Sequence, residues 1–300
     1  MAGLVGRILG LLFVLAAFAA PAAAADYATQ EEAVAALEAA LKADDPGALR
    51  AVFGPDREAL LGSGDKVADH NARQHFLEEF ETAHRLQAEG DNRRVLIVGA
   101  NDWPSPIPLV QAGGRWHFDI VEGAQVIADR RIGENELAAI GSLLAIVDAE
   151  RAYFDLRHEY ARRMLANPGQ QDGLYWPTED DAAPSPLAGL AAIAEAEGYS
   201  LDPLQKSPAP FRGYFFRFLT GQGPSAPGGA KSWLQGAKLA DGFGVLAWPT
   251  RYGNSGIMSF QVGPDGVVFQ KDLGPDTDAA AAHITRYDPD LSWARVDVKD

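Results

Sequence analysis

Residues 257–271 read Ile257-Met258-Ser259-Phe260-Gln261-Val262-Gly263-Pro264-Asp265-Gly266-Val267-Val268-Phe269-Gln270-Lys271. Two apolar-rich runs, 257–262 and 267–271, flank a Gly-Pro-Asp-Gly turn. Proline presets φ at its second position and glycine closes it, so the stretch is a β-hairpin. Upstream, 243–248 forms another strand, stopped by Pro249. In 213–219, Tyr214, Phe216 and Phe218 alternate with Phe215, Arg217 and Leu219, so both faces are largely apolar and both must be covered. These runs predict a four-stranded antiparallel sheet. A short helix is expected over 278–285, then a turn at Asp288-Pro289-Asp290.

A cover for one face lies just before the sheet. Residues 122–165 are dominated by one long helix, with Leu137, Ile140, Leu143, Leu144, Val147 and Phe154 on one stripe and Glu134, Glu136, Asp148, Glu150 and Arg151 off it. Gly133 and Glu136 are expected to cap its start. Run from 134 to 165, it is about 48 Å long at roughly 1.5 Å per residue. Between helix and sheet, 167–212 holds seven of the nineteen prolines, a surface excursion with one short helix over 187–196. A long helix across a four-stranded antiparallel sheet resembles type IV pilins and pseudopilins.

The first half is read as helices followed by a hairpin sheet. Thr29 and Glu32 have capping-box spacing ahead of Val34, Leu37 and Leu41. Asp45-Pro46 opens a second helix through Leu49, Val52 and Phe53. A third carries Phe76, Leu77 and Phe80. Strands follow at 95–98, 107–111 and 115–121, with a Gly113-Gly114 turn, and Trp116, Phe118 and Ile120 alternate with His117 and Asp119. This order resembles the cone-shaped folds of the nuclear transport factor 2 type. The fold class is α+β, in three parts: a signal peptide at 1–25, an N-terminal α+β domain at 26–128, and a domain of long helix plus antiparallel sheet at 129–300.

The leader rests on Arg7, a 13-residue apolar run over 8–20, and Ala23-Ala24-Ala25 before Asp26. The run is too short to cross a hydrocarbon core, which takes about 20 residues, so cleavage is expected after Ala25 and no stable membrane span remains. A periplasmic or secreted protein follows. With no cysteine, disulfides, lipidation at cysteine, and thiolate chemistry are all excluded. A net charge of −15 argues against a nucleic-acid partner, because phosphate binding draws on clustered Lys and Arg.

Five ordered blocks carry a resemblance. They are Arg130-Arg131-Ile132-Gly133-Glu134-Asn135-Glu136-Leu137, Gly213-Tyr214-Phe215-Phe216-Arg217, Ala247-Trp248-Pro249, Tyr252-Gly253-Asn254-Ser255-Gly256-Ile257-Met258 and Gln270-Lys271-Asp272-Leu273-Gly274-Pro275-Asp276-Thr277. The chain resembles the bacterial family known as domain of unknown function 2950 over nearly all of its mature length. That resemblance implies an exported protein without an established activity, and it transfers no catalytic residue.

No catalytic constellation emerges. Gly253-Asn254-Ser255-Gly256 lacks the spacing of a nucleophile elbow. The glycine-rich stretch after Gly221 does not open a helix, as a phosphate loop must. Asp272, Asp276 and Asp278, with Asp288 and Asp290 close behind, are of the type calcium accepts, but their spacing is not that of an EF-hand. The six histidines show no zinc-binding spacing. No cofactor is expected. If Trp248, Tyr252, Asn254 and Arg217 lie together at one sheet edge, they make an amphipathic patch for an envelope protein or glycan. A non-catalytic binding or structural role is the leading expectation. The alternatives are a periplasmic hydrolase using Asp or Glu residues and a soluble pseudopilin-like assembly component.

Overall fold

The computed structural model describes residues 25–54, 62–178, 182–205 and 209–297. The leader falls on residues 1–24, outside the described residues. Thr29 caps α1 (Gln30–Lys42), its hydroxyl accepting from Glu32 N at 3.1 Å, while the Glu32 carboxylate reaches back to Ala28 N. Asp45 caps α2 (Pro46–Phe53), with proline in its first turn. Asp65 caps α3 (Lys66–Thr82).

The first sheet runs β1 (His84–Ala88), β2 (Arg93–Val98), β4 (Leu109–Ala112), β5 (Arg115–Phe118), with β3 (Trp103–Pro104) against β2. β1 has no counterpart in the sequence reading, because His84-Arg85-Leu86-Gln87-Ala88 shows no apolar alternation and lies mostly exposed at the edge. Leu37, Leu41, Phe53, Phe80, Leu96 and Phe118 belong to the buried cluster between these helices and this sheet.

The long helix differs from expectation at both ends. α4 spans Ile120–Arg157, 38 residues, or about 57 Å. Asp119 caps it by accepting from Val121 N and Glu122 N, so Ile120 ends the strand alternation and starts the helix. Gly123 allows that start. A Cβ there would lie 2.5 Å from the Pro106 carbonyl oxygen. Gly133 is therefore interior to the helix, and its end comes at His158, in left-handed conformation with φ 55°. The buried stripe is also rotated from the expected one. Leu137 is 72% exposed, whereas Glu150 is fully buried beside Leu143, Ile146, Val147 and Tyr153.

The second sheet is antiparallel throughout and has five strands, in the order β14 (Ala294–Arg295), β13 (Val268–Asp272), β12 (Met258–Val262), β11 (Gly244–Pro249), β6 (Tyr214–Leu219). The fifth, β14, is two residues paired with Phe269 and Gln270, too short for a periodic signal. The Gly263–Gly266 turn closes with Gly266 N donating to the Gly263 carbonyl at 3.0 Å. Two short ribbons, β7 (Gly221–Gln222) with β8 (Lys231–Ser232) and β9 (Leu234–Gln235) with β10 (Lys238–Leu239), fill the connection from β6 to β11. α4 packs on the face bearing Phe216, with α5 (Ala188–Ala196) beside it. α6 (Thr277–His283) covers the opposite face, where Arg217 and Trp248 lie. Both faces are thus covered, as the apolar strand required. Among the described residues no helix is long and apolar enough to cross a membrane.

Candidate functional site

Three of the five blocks meet where α3 and α4 approach the second sheet. One Asp65 oxygen accepts from Val67 N and Ala68 N, capping α3. The other accepts from the Tyr199 hydroxyl at 2.9 Å and Gly213 N at 3.0 Å. A single carboxylate, 1% exposed, therefore fixes a helix of the first core and the entry to β6 in the second. Burial raises the pKa of the Tyr199 hydroxyl above the ordinary phenol value, with Asp65 adding to the shift, so it stays a donor. From α4, Glu136 Oε1 accepts from Ile257 N and Met258 N, each at 2.9 Å, and Asn135 Nδ2 donates to the Ser255 carbonyl at 2.9 Å. Thr250 Oγ1 donates to the Ser63 carbonyl at 2.8 Å. Glycine is required at 213. Its φ is +79°, and a Cβ would lie 2.4 Å from Asn135 Nδ2.

Beside this junction a pocket opens into the edge of the first core. Leu37 and Leu41 of α1, Leu49 and Phe53 of α2, Ala72 and Phe76 of α3, Phe118 of β5 and Ile127 of α4 line a chamber of about 240 Å³ that is open to solvent on one side. Among the described residues, three charged side chains enter its wall: Asp69, Arg73 and Arg131. Arg131 reaches through to the junction, donating to Asn254 Oδ1 at 2.7 Å. Its burial lowers the guanidinium pKa, and the Asp69 carboxylate opposes that shift. Arg73 Nε donates to Asp44 Oδ1 at 2.8 Å, and Asp69 accepts from Ser63 N. Trp103 stands partly exposed on the lining, edge-on to Phe76 and 5.2 Å from the Arg130 guanidinium. An apolar chamber with a few oriented polar groups is the common form of a small-molecule site.

The family model described as "Protein of unknown function (DUF2950)" matches residues 24–296. The chain belongs to that family. Comparison with curated proteins and with solved structures returns no match. The likeness of this DUF2950 chain to pilins and to nuclear transport factor 2 therefore has no solved structure behind it.

The residues expected to form an aromatic patch fall into two places. Trp248 is 8% exposed, donates from Nε1 to Asp278 Oδ1 at 3.0 Å, and lies 5.3 Å from the Arg217 guanidinium, which donates to the Ala281 and Ile284 carbonyls. Tyr252 donates to Asp272 Oδ2 at 3.1 Å. Asn254 turns the other way, into the junction with Arg131. Ser255 of the same loop is fully buried and hydrogen-bonded to the backbone of Arg251. Asp272 and Asp278 thus accept from an aromatic side chain each, and Asp276 stands at the start of α6. Among the described residues no group of three or more His, Cys, Asp or Glu side chains is arranged to hold a metal ion.

Sequence reasoning did not single out Asp69 and Arg73. One signal was present: Lys66, Asp69, Arg73 and Phe76 recur at three- and four-residue spacing and so share one face of α3.

Proposed function

We propose that this chain is an exported envelope protein, periplasmic or secreted after loss of residues 1–25, and that it binds a small apolar ligand in the chamber without transforming it. The chamber carries this reading. Its walls are aliphatic and aromatic, and its charged groups are gathered among a few residues of α3 and α4. The Asp69 carboxylate already accepts from a backbone amide, an orienting arrangement that does not by itself mark a general base. The Trp248 indole N–H and the Asn254 side-chain oxygen are engaged inside the chain, which favours the chamber over the C-terminal loops as the ligand seat.

The test uses the mature protein and the fluorescent apolar probe N-phenyl-1-naphthylamine. Wild type is expected to bind the probe with micromolar affinity. Ala72→Trp, which puts an indole on an exposed lining position, is expected to abolish binding while the melting temperature is kept. After incubation with envelope lipid extract, any captured ligand should be recovered chemically unchanged. Mass spectrometry of the periplasmic fraction should find a chain beginning at Asp26. A folded wild type that ignores the probe would refute the binding role, and a cytosolic product retaining Met1 would refute export.

A further inference from the structure

We infer that the ligand is a single-chain amphiphile with an anionic head, its tail in the chamber and its head in a basic cleft that opens from the same wall. This inference rests on the chamber being the ligand seat. The cleft holds about 340 Å³ and shares Asp69 and Arg73 with the chamber, so the two spaces adjoin. Among the described residues, Arg50, Lys66, Arg73 and Arg251 line it, against one lining carboxylate, Asp69, with Asp44 paired to Arg73 behind it.

That sign runs against the composition. The chain has 41 acidic and 26 basic residues, so four cations around one cleft stand out from an anionic background. A cleft in which one sign predominates focuses the field and draws in ligand of the opposite sign. The Asp69 carboxylate accepts from Ser63 N through both oxygens, which orients it toward the loop before α3.

The polarity is laid out along one helix. Lys66 stands at the cleft end of α3, Asp69 and Arg73 line both spaces, and Phe76 lies in the chamber. Ten residues of helix separate Lys66 from Phe76, about 15 Å at roughly 1.5 Å per residue. The chamber exceeds the roughly 150 Å³ cavity that admits a benzene ring. Together these dimensions suit an alkyl chain of middle length with its charged end toward Lys66 and Arg251. The head is a carboxylate or a phosphate, which both match clustered cations.

The experiment is displacement of N-phenyl-1-naphthylamine from the mature full-length protein. The competitors are decanoate, decyl phosphate, decanol and decyltrimethylammonium, each below its micelle-forming concentration. Either anion is expected to compete about tenfold more strongly than decanol at low salt, with the cation weakest. Whichever anion is tighter identifies the head. Raising the salt should erase the preference in wild type, without recourse to any variant. The double variant Lys66→Gln, Arg251→Gln changes two exposed side chains and should lose the preference while decanol competes as before. Equal competition by decanol and the anions at low salt would overturn the head-group assignment and leave the chamber standing. So would a preference that survives both high salt and the double variant. If no competitor displaces the probe, or if Ala72→Trp binds as wild type does, the chamber reading itself fails.

Discussion

Replacing Glu150 with glutamine removes one ionisable proton from the second core and changes little else. The Glu150 side chain is fully buried. Its Oε2 accepts from Ala161 N at 2.8 Å, tying α4 to the loop after it, while Oε1 meets no hydrogen-bond donor among the described residues. Burial pushes the carboxyl up from its ordinary 4.5 to about 8, with the Ala161 amide opposing in part. Below pH 4.5 the folded and unfolded chains both hold the proton, so the group is without effect on stability. Between pH 4.5 and about 8 only the folded chain holds it, and stability falls as pH rises, by about 1.4 kcal/mol per unit. At pH 7 that amounts to about 3 kcal/mol, and above about pH 8 the loss levels off. Glutamine has the same shape and no proton to lose. Its amide meets no acceptor where Oε1 met no donor, at a pH-independent cost of about 1 kcal/mol. Urea denaturation of wild type and Glu150→Gln across this range is therefore expected to give a steeper decline in wild type. The two should be nearly equal, or wild type slightly ahead, at pH 4.5, and the variant ahead by about 2 kcal/mol at pH 7. Parallel pH profiles would mean that the Glu150 carboxyl does not keep its proton in the folded chain over this range.

Four further outcomes test the fold and the junction. Asp65→Ala removes a helix cap and leaves the buried Tyr199 hydroxyl and Gly213 amide without their acceptor, so a loss of about 3–5 kcal/mol is expected by chemical denaturation. Gly213→Ala places a Cβ against Asn135 at positive φ and should cost about 2–3 kcal/mol in the same assay. Trp248→Phe deletes the hydrogen bond to Asp278 and weakens the contact with Arg217. About 1–2 kcal/mol of stability should go, with probe binding unchanged. The rotated stripe of α4 predicts a contrast in thermal melts: Leu137→Gln within about 0.5 kcal/mol of wild type, Leu143→Ala lower by about 3–5 kcal/mol.

Local chemistry made much of the fold legible. Proline and glycine in 263–266 wrote the hairpin, and Asp45 before Pro46 wrote a helix start. The alternating aromatics of 214–219 required two covered faces, and α4 and α6 supply them. Failures came where tertiary contact overrode local pattern. Ile120 continues the strand alternation, yet Asp119 caps a helix there because Gly123 lets α4 press against Pro106. Glu150 looked like a solvent residue by type, and only the neighbours of α4 reveal that it is buried. The candidate site was legible in pieces. Arg131 and Asn254 each sat inside a quoted block, but their hydrogen bond spans 123 residues. Among the described residues the chamber draws its walls from four helices and two strands that no periodicity links.

The junction explains why those distant blocks depend on one another. Two carboxylates, Asp65 and Glu136, hold four partners in the second core, and three of these are backbone amides at the entries to β6 and β12. An amide is present whatever the side chain, so such bonds fix where a strand begins without constraining its packing. Arg131 then links the two regions, because it donates to Asn254 Oδ1 and also lines the chamber. A cation held in place on the protein side loses less freedom when a ligand arrives, so part of the ordering cost of binding is met during folding. The loop of Tyr252 to Met258 can therefore shape the chamber from outside it, through Asn254 and Arg131.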